Sequence, residues 1–440
     1  MISGRSLRDG IACDDGSVAM PELLGVCQLR RNRDFTLLWA GQTIGDLGTA
    51  VSTVVLPLIA VSTLDASPVA VGALSAATWL PWLLIGLPAG AWVDRLPYRP
   101  VLVSCDLARM LLIGSIPVAA ATGHLGLAQL YVVAFGTGVG TVFFQVAYQA
   151  YLPMLVDRDD LTAANARLQG SSSVALVGGP GLGGLLSQVM RAPYALAVDA
   201  ASYLVSAVTL LAIRTPEAPR LKSAREPLLR EVRTGARHVL ADRLLRVLTI
   251  APAAGNPFFA GIMALAVLFL VRTVGVGPGT VGVLLAAGSL GGIVGAMLAR
   301  RIGRALGTAR ALWLSMALSA PAALLIPLTA HGARLLFFVI GLFVLEAGIL
   351  IYNVTIVAWR QAYVPPALIG RVVATMRFLL FGTIPLGGLL GGALAGSIGV
   401  REAMWVLVAG NLLMPLLLVA SPLRRLRDMP TAPGELITVT

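Results

Sequence analysis

Charged residues are scarce in this sequence. Only 12% of its 440 residues are Asp, Glu, Lys or Arg, whereas an ordinary soluble domain is about 25% charged. Hydrophobic residues make up 57% of the chain, and a soluble protein of this length has no interior large enough to hide them. A bilayer removes this difficulty because apolar side chains can face lipid. The composition therefore indicates a membrane protein.

Cysteine and histidine are rare too, with three of each. Cys13 and Cys27 precede the first apolar run and Cys105 lies inside one, so the cysteines have neither metal-ligand spacing nor a disulfide pattern. The histidines fall in predicted loops, and no zinc-protease, serine-hydrolase or phosphate-binding motif is present. We predict no metal, no cofactor and no enzymatic activity, with an intramembrane enzyme as a remote alternative.

Acidic residues number 21 against 33 basic ones, which gives a net charge of +12. A basic surplus can indicate nucleic-acid binding, but the arginines stand at the ends of apolar runs. No basic patch interleaved with aromatic residues marks a soluble module. We predict no nucleic-acid partner and interpret the charge as a determinant of membrane topology.

Twelve apolar runs are long enough to cross a bilayer, which takes about 20 residues. The predicted spans are residues 36–62, 67–91, 100–121, 126–151, 171–190, 194–213, 247–271, 279–299, 309–329, 334–359, 371–397 and 401–421. The predicted division is a disordered cytoplasmic tail (1–30), a six-helix bundle (31–213), a cytoplasmic linker loop (214–246), a second bundle (247–422) and a cytoplasmic tail (423–440). Translation could begin at Met1 or at Met20, since the apolar pattern starts only after Met20.

Basic residues are distributed unevenly between the two sides that twelve spans create. The tails and the even-numbered loops hold 28 of the 33, and the odd-numbered loops hold four. By the positive-inside rule both termini face the cytoplasm. We therefore predict a multi-pass protein of the cell (inner) membrane, monomeric and surrounded by lipid.

The two halves of the sequence repeat each other. QAYLP at 149–153 recurs as QAYVP at 361–365, an offset of 212 residues. Gly-Ala followed by Arg at 90–95 recurs at 295–300, an offset of 205. The predicted fold is thus all-α, with twelve transmembrane helices in two parallel six-helix repeats. Parallel halves of this kind place a substrate site near the midplane between them.

The loop after the second span reads GAWVDRLPYRPVL, from Gly90 to Leu102. It resembles the loop 2–3 signature of the major facilitator superfamily, matched here at Gly90, Asp94, Arg95 and Arg99. Pro97 and Tyr98 replace the usual Gly-Arg. The resemblance implies a conformational latch in which Asp94 faces the start of the eleventh helix, predicted near Gly370. The alternative is that Arg95 and Arg99 only anchor the topology.

The fifth span contains GPGLGG, which resembles the antiporter motif of the superfamily's drug exporters, matched at Gly179, Pro180, Gly183 and Gly184. Proline bends a helix and glycine permits close helix packing, so generic small-residue packing is the alternative. With the preceding DLTAAN (160–165), the chain most resembles the exporter branch that includes macrolide efflux pumps and the enterobactin exporter. This resemblance covers roughly residues 30–420 and says nothing of the substrate.

Acidic residues within spans are costly and are therefore functional candidates. Glu346 and Asp46 fall on the tenth and first spans, which the resemblance places at the central cavity, and we predict proton or cation coupling there. A structural hydrogen bond is the alternative for each. Asp106 and Arg109, three residues apart, are predicted to form a structural ion pair toward the cytoplasmic end of the third span. Asp199 is predicted to serve helix packing.

The predicted function is secondary active transport by alternating access, driven by the proton motive force. The resemblance implies an exporter (antiporter) of small apolar or amphipathic molecules such as drugs. An importer or a siderophore exporter of the same fold remains an alternative. Polar and aromatic side chains predicted to line the cavity are Gln42, Gln145, Gln149, Asn256, Asn353 and Tyr352.

Overall fold

The computed structural model describes residues 32–217 and 228–430, and every regular element in this part of the chain is helical. The first half consists of α1 (Arg33–Leu58), α2 (Pro68–Val93), α3 (Tyr98–Ala121), α4 (Leu127–Leu155), α5 (Leu161–Met190) and α6 (Ala192–Ala212). One helix, α7 (Leu228–Ala241), precedes the second half. The second half consists of α8 (Arg243–Leu268), α9 (Pro278–Leu306), α10 (Thr308–Ser319, continued by a 3₁₀ helix Ala320–Leu328), α11 (Leu335–Tyr363), α12 (Pro366–Ile398), α13 (Val400–Asn411) and α14 (Leu413–Ala420).

Twelve helical spans in the described residues are long and apolar enough to cross a membrane, with α13 and α14 forming the twelfth. The predicted all-α fold of twelve spans is confirmed. The fifth span starts at Leu161 rather than at residue 171, because the polar segment before the apolar run continues the same helix. The seventh starts at Arg243 rather than at residue 247, because Asp242 accepts hydrogen bonds from the amides of Leu244 and Leu245 and so fixes the N-terminus there.

The predicted linker loop is wrong in one respect, since its second part forms the amphipathic helix α7. Gly235 of α7 lies directly against the backbone of Arg371 in α12. The predicted tail also begins later than residue 423. The Met429 amide donates to the Thr308 hydroxyl at 2.8 Å, and the Trp359 indole donates to the Pro430 carbonyl at 2.9 Å. The predicted N-terminal tail and both candidate start methionines lie outside the described residues.

The repeat is visible in the first helix of each half. α1 ends in a π-helical turn (Ile59–Thr63) and α8 ends in another (Phe269–Val274). The next helices then start alike, each with proline at its first position, at Pro68 and at Pro278. Proline suits this position because its missing N–H would have no partner inside the helix. The two halves therefore share local geometry as well as helix order.

The halves meet along two helix pairs, α2 with α12 and α5 with α9. In both pairs glycines bring the backbones together: Gly72 lies against Gly392, and Gly184 lies against Gly282. These contacts lie toward the end of the molecule opposite the termini. At the end that carries the termini, a Cβ added to Gly90 of α2 would meet no atom within 4 Å. The two halves are thus packed closely at the far end, which we call the closed end.

Candidate functional site

Glu346 lies near the middle of α11 on a face defined by positions three and four residues apart. Leu342 and Ile349 of that face pack into the hydrophobic cluster that contains residues of both halves. Asn353, the next position on the face, is exposed. Leu342 packs against Gly288 of α9 in the same half, and Glu346 and Asn353 share this side of α11 with it.

The helices beside α11 contact it on both sides of Glu346. Gly291 and Gly295 of α9 lie directly on the backbone of Phe343 and Ala347, on one side of the Glu346 face. On its other side the Tyr352 hydroxyl donates to the Leu248 carbonyl of α8 at 3.3 Å. Glu346 projects between these two contacts, half-buried. Within the described residues its carboxyl group makes no hydrogen bond and no ion pair.

Asp46 lies on α1 in a more polar setting. The Gln42 amide donates to its Oδ1 at 2.6 Å, and the Ser172 hydroxyl of α5 lies within hydrogen-bonding reach. Tyr148 of α4 interacts electrostatically with the same carboxyl group, and its buried hydroxyl has no partner among the described residues. Asp46 is thus half-buried where α1, α4 and α5 meet.

Gln145 and Gln149 flank Tyr148 within one turn of α4, and both are exposed. Since Tyr148 faces Asp46, these two amides share the side of α4 that turns toward α1. Their role in lining a cavity stays a prediction.

Two other predicted cavity residues instead connect helices. The Asn256 amide donates to the Leu380 carbonyl of α12 at 2.6 Å, just before the bend-forming Pro257 of α8. Tyr352 is only 3% exposed and belongs to the core of the second half. Tyr352 is thus too deeply buried to line a cavity, and the half-buried Asn256 holds α8 to α12.

Asp106 and Arg109 form an ion pair on α3. The guanidinium lies 4.4 Å from the centre of the Phe144 ring and 4.5 Å from that of Tyr203. Arg109 is near the middle of the helix rather than toward its end, so the pair is deeper than predicted. Gly140 of α4 makes room for it, since a Cβ there would lie 2.9 Å from Cγ of Arg109.

The GPGLGG glycines face two helices at once. Gly179 lies against Ala50 of α1, and a Cβ on Gly183 would lie 2.8 Å from the Val51 carbonyl oxygen. Gly184 faces the other way, where a Cβ would lie 2.7 Å from Cα of Gly282 in α9. Pro180 also faces α9, through its carbonyl oxygen, which lies 2.5 Å from a Cβ built on Gly282. This segment therefore joins α1 to α5 within one half and α5 to α9 between the halves.

The latch segment lies at the end that carries the termini. The amide of Asp94 donates to the Gly90 carbonyl at 3.1 Å, and that of Arg95 donates to Trp92 at 3.1 Å, which closes the turn after α2. Helix α12 begins at Pro366, about one turn before the predicted start near Gly370. The latch between Asp94 and the start of this helix stays a prediction.

Arg99 has a role within its own half. Its Nε donates to the Leu210 carbonyl at 2.8 Å and a terminal nitrogen donates to Leu211, which ties the start of α3 to the end of α6. Sequence reasoning missed Glu217, whose two carboxylate oxygens accept from the amides of Tyr98 and Arg99 at 2.8 and 2.7 Å. Its only sequence clue was an acidic residue in a basic loop.

Aromatic residues join the halves between the two ends. Phe381 of α12 lies 6.0 Å from the Trp79 ring and 5.1 Å from the Trp82 ring of α2, measured between ring centres. Where α2 meets α12 these three rings thus form an apolar, aromatic wall, a surface suited to a hydrophobic molecule.

The family model described as "Transmembrane secretion effector" matches residues 27–436. The chain belongs to this family, within the major facilitator superfamily. Its relatives include the "Multidrug efflux pump Tap" of Mycolicibacterium fortuitum, 28% identical over 90% of this chain and 97% of the relative. The "Macrolide efflux protein A" of Streptococcus pyogenes is 22% identical over 90% and 97%.

Solved structures share the fold. A bacterial homologue of the human lysosomal transporter Spinster, in an inward-facing conformation, aligns with a TM-score of 0.67 and 16% identity over 89% of this chain and 97% of that one. A bacterial homologue of the iron transporter ferroportin aligns with a TM-score of 0.68 and 14% identity over 88% and 98%. The protein is thus a multi-pass membrane transporter with the major facilitator fold.

Proposed function

We propose that this protein exports small apolar or amphipathic molecules in exchange for protons, by alternating access between its two halves. Export is supported by the efflux pumps among its relatives, which it matches over nearly their whole length. The aromatic wall formed by Trp79, Trp82 and Phe381 suits an apolar cargo. A siderophore, with its many polar groups, fits this wall less well.

The arrangement of the halves supports loading from the side of the termini. The glycine contacts seal the closed end, while the positions around Gly90 and Gly370 have open space beside them. The positive-inside rule assigns the end with the termini to the cytoplasm. In this state the protein would accept cargo from the cytoplasm or the inner leaflet, as an exporter must before it turns outward.

Glu346 is the observation that carries proton coupling. Its carboxyl group is half-buried near the middle of α11, without a hydrogen-bond or ionic partner in the described residues. An ionised carboxylate without a partner is costly in an apolar setting, and binding a proton removes that cost. Protonation thus changes which surroundings Glu346 favours, and a change of this kind can drive alternation between two states.

Asp46 is the second coupling candidate and differs in its surroundings. Gln42 and Ser172 both stabilise its charged form by hydrogen bonding. We therefore assign Glu346 the main coupling role and Asp46 a supporting one, in which its charge attracts cationic cargo or a second proton.

The test begins with accumulation of ethidium, erythromycin and tetracycline in an efflux-deficient bacterial host, with and without a protonophore. The protein should lower accumulation of at least one compound, and the protonophore should abolish this effect. Retention of every compound would contradict drug export. Higher accumulation of a compound than in the empty host would instead indicate import.

Coupling is tested in proteoliposomes with an imposed pH gradient. Glu346→Gln should lose transport driven by the gradient, while still exchanging labelled for unlabelled substrate at equilibrium. The matched control is Asp159→Asn, which removes an exposed carboxylate between α4 and α5. Normal gradient-driven transport by Glu346→Gln would exclude Glu346 as the coupling site, and loss in both variants would point to a general defect.

A further inference from the structure

A third acidic residue of the first half is more deeply buried than either coupling candidate. Asp199 of α6 is 0% exposed. The Ser52 hydroxyl of α1 donates to its Oδ2, and the Ser202 hydroxyl lies 3.2 Å from its Oδ1. No arginine or lysine in the described residues forms a salt bridge with it. The family resemblance assigned Asp199 no role.

The local packing shapes a cradle for this carboxyl group. Gly48 of α1 faces it directly, and a Cβ at that position would lie 2.5 Å from Oδ1 of Asp199 and 2.8 Å from Cβ of Ser202. Any larger residue would fill the space that the carboxylate occupies. Glycine is therefore required at position 48 by Asp199 and Ser202 together.

The charges around Asp199 do not balance. Helices α1, α3 and α6 pack together here and contribute three carboxyl groups, those of Asp46, Asp106 and Asp199. They contribute one guanidinium, that of Arg109, and it interacts electrostatically with all three carboxyl groups. Its salt bridge is to Asp106. The other ionisable groups facing Asp199 or Arg109 are the neutral side chains of Cys105 and Tyr203. One positive charge cannot neutralise three carboxylates, of which Asp106 and Asp199 are fully buried.

Arg109 itself is incompletely satisfied. It is 5% exposed, and its Nε has no hydrogen-bond partner in the described residues. A buried guanidinium with a free donor can shift between neighbouring carboxylates when one of them gains or loses a proton.

We infer that the first half contains a second proton site, in which the Asp199 carboxyl group carries the proton and Arg109 is its electrostatic partner. The proton bound by Asp199 removes one of the two uncompensated negative charges. When it leaves, Arg109 is the one cation in the described residues that interacts with the new carboxylate. The inference rests on the proposed function only for the use of this proton in transport, because proton binding itself follows from the charge balance.

The test is infrared difference spectroscopy of the purified protein between pH 7 and pH 10, in a Glu346→Gln background that removes the carboxyl group of the main coupling candidate. A carbonyl band of a protonated carboxylic acid, shifted by exchange into D₂O, should be present and should disappear in Asp199→Asn. Asparagine keeps the shape of the side chain, so folding is checked by a monodisperse elution profile. The control Asp65→Asn, which changes a carboxylate that is 95% exposed, should leave the band unchanged.

Ser52→Ala provides a second measurement if Asp199→Asn fails to fold. Because Ser52 hydrogen-bonds the same carboxyl group, its loss should shift the frequency of the band without removing it. An unchanged band in Asp199→Asn, or an unshifted band in Ser52→Ala, would overturn the inference. If Asp199→Asn loses the band but the unsubstituted protein shows no proton-driven transport, the proposed function is refuted and the proton site at Asp199 is still supported.

Discussion

Arg272 of the second half donates to Asp65 of the first half, with its terminal nitrogen 2.6 Å from Oδ1. The same nitrogen lies 3.2 Å from the Val61 carbonyl oxygen. Arg272 lies within the π-helical turn that ends α8, and Asp65 follows the one that ends α1, so the repeat brings corresponding regions of the two halves together at the closed end. Asp65 adopts a left-handed backbone conformation with φ of 47°, which aspartate tolerates better than most residues.

We predict that this ion pair stabilises the closed end only slightly. The Asp65 side chain is 95% exposed, and exposed pairs contribute about 0–1 kcal/mol. Arg272→Gln should therefore raise the labelling rate of a cysteine placed at Ser62 by at most about fivefold, since roughly 1 kcal/mol corresponds to that ratio. The exchange Asp65→Arg with Arg272→Asp should restore the original rate. A rise of a hundredfold would show that the pair, rather than glycine packing, holds this end closed.

Glycine packing between α5 and α9 should be the stronger contribution. A Cβ at Gly184 would lie 2.7 Å from Cα of Gly282, so backbone would have to move, whereas Gly178 has no neighbour within 4 Å. Overpacking costs typically about 1–3 kcal/mol. Gly184→Ala should lower the melting temperature in detergent and raise labelling at Ser62, while Gly178→Ala should do neither. Equal behaviour of the two variants would contradict the proposed seal.

Sequence alone predicts the twelve spans and the two-half repeat because lipid imposes a strong length and hydropathy requirement on each span. It predicts the GPGLGG segment as a packing motif, but not that Gly184 meets Gly282, since a contact between halves depends on tertiary geometry. The helix α7 was missed because its apolar residues are too few for a span. The contacts of Asn256 with α12 and of Tyr352 with α8 were also missed. Hydropathy places a polar group in a membrane helix without giving the direction that the group faces.

Glu217 offers a test of a contact that no pattern predicted. It accepts from the first two amides of α3, whose N-cap residue Pro97 supplies no side-chain acceptor. Losing a helix cap costs about 0.5–2 kcal/mol. Glu217→Ala should lower the melting temperature and increase amide hydrogen exchange at Tyr98 and Arg99. Asp159→Ala, which removes an exposed acid that caps no helix, is the control, and equal exchange in both variants would exclude the cap.

Gly45 and Gly48 lie three residues apart on α1, and alanine should affect the melting temperature differently at each position. Alanine is favoured over glycine in a helix interior by about 0.8–1.0 kcal/mol. Gly45 has no atom within 4 Å of a Cβ position, so Gly45→Ala should raise the melting temperature slightly or leave it unchanged.

At Gly48 the same methyl group would press on the Asp199 carboxyl group and on Ser202, and overpacking of about 1–3 kcal/mol should exceed the helix preference. Gly48→Ala should therefore lower the melting temperature. Combined with Asp199→Ala, Gly48→Ala should lose part of its effect, because the carboxyl group is removed while Cβ of Ser202 still lies 2.8 Å from the methyl position. Additive losses in the double variant would show that Gly48 is required for some other contact, and that the cradle around Asp199 does not determine the residue at this position.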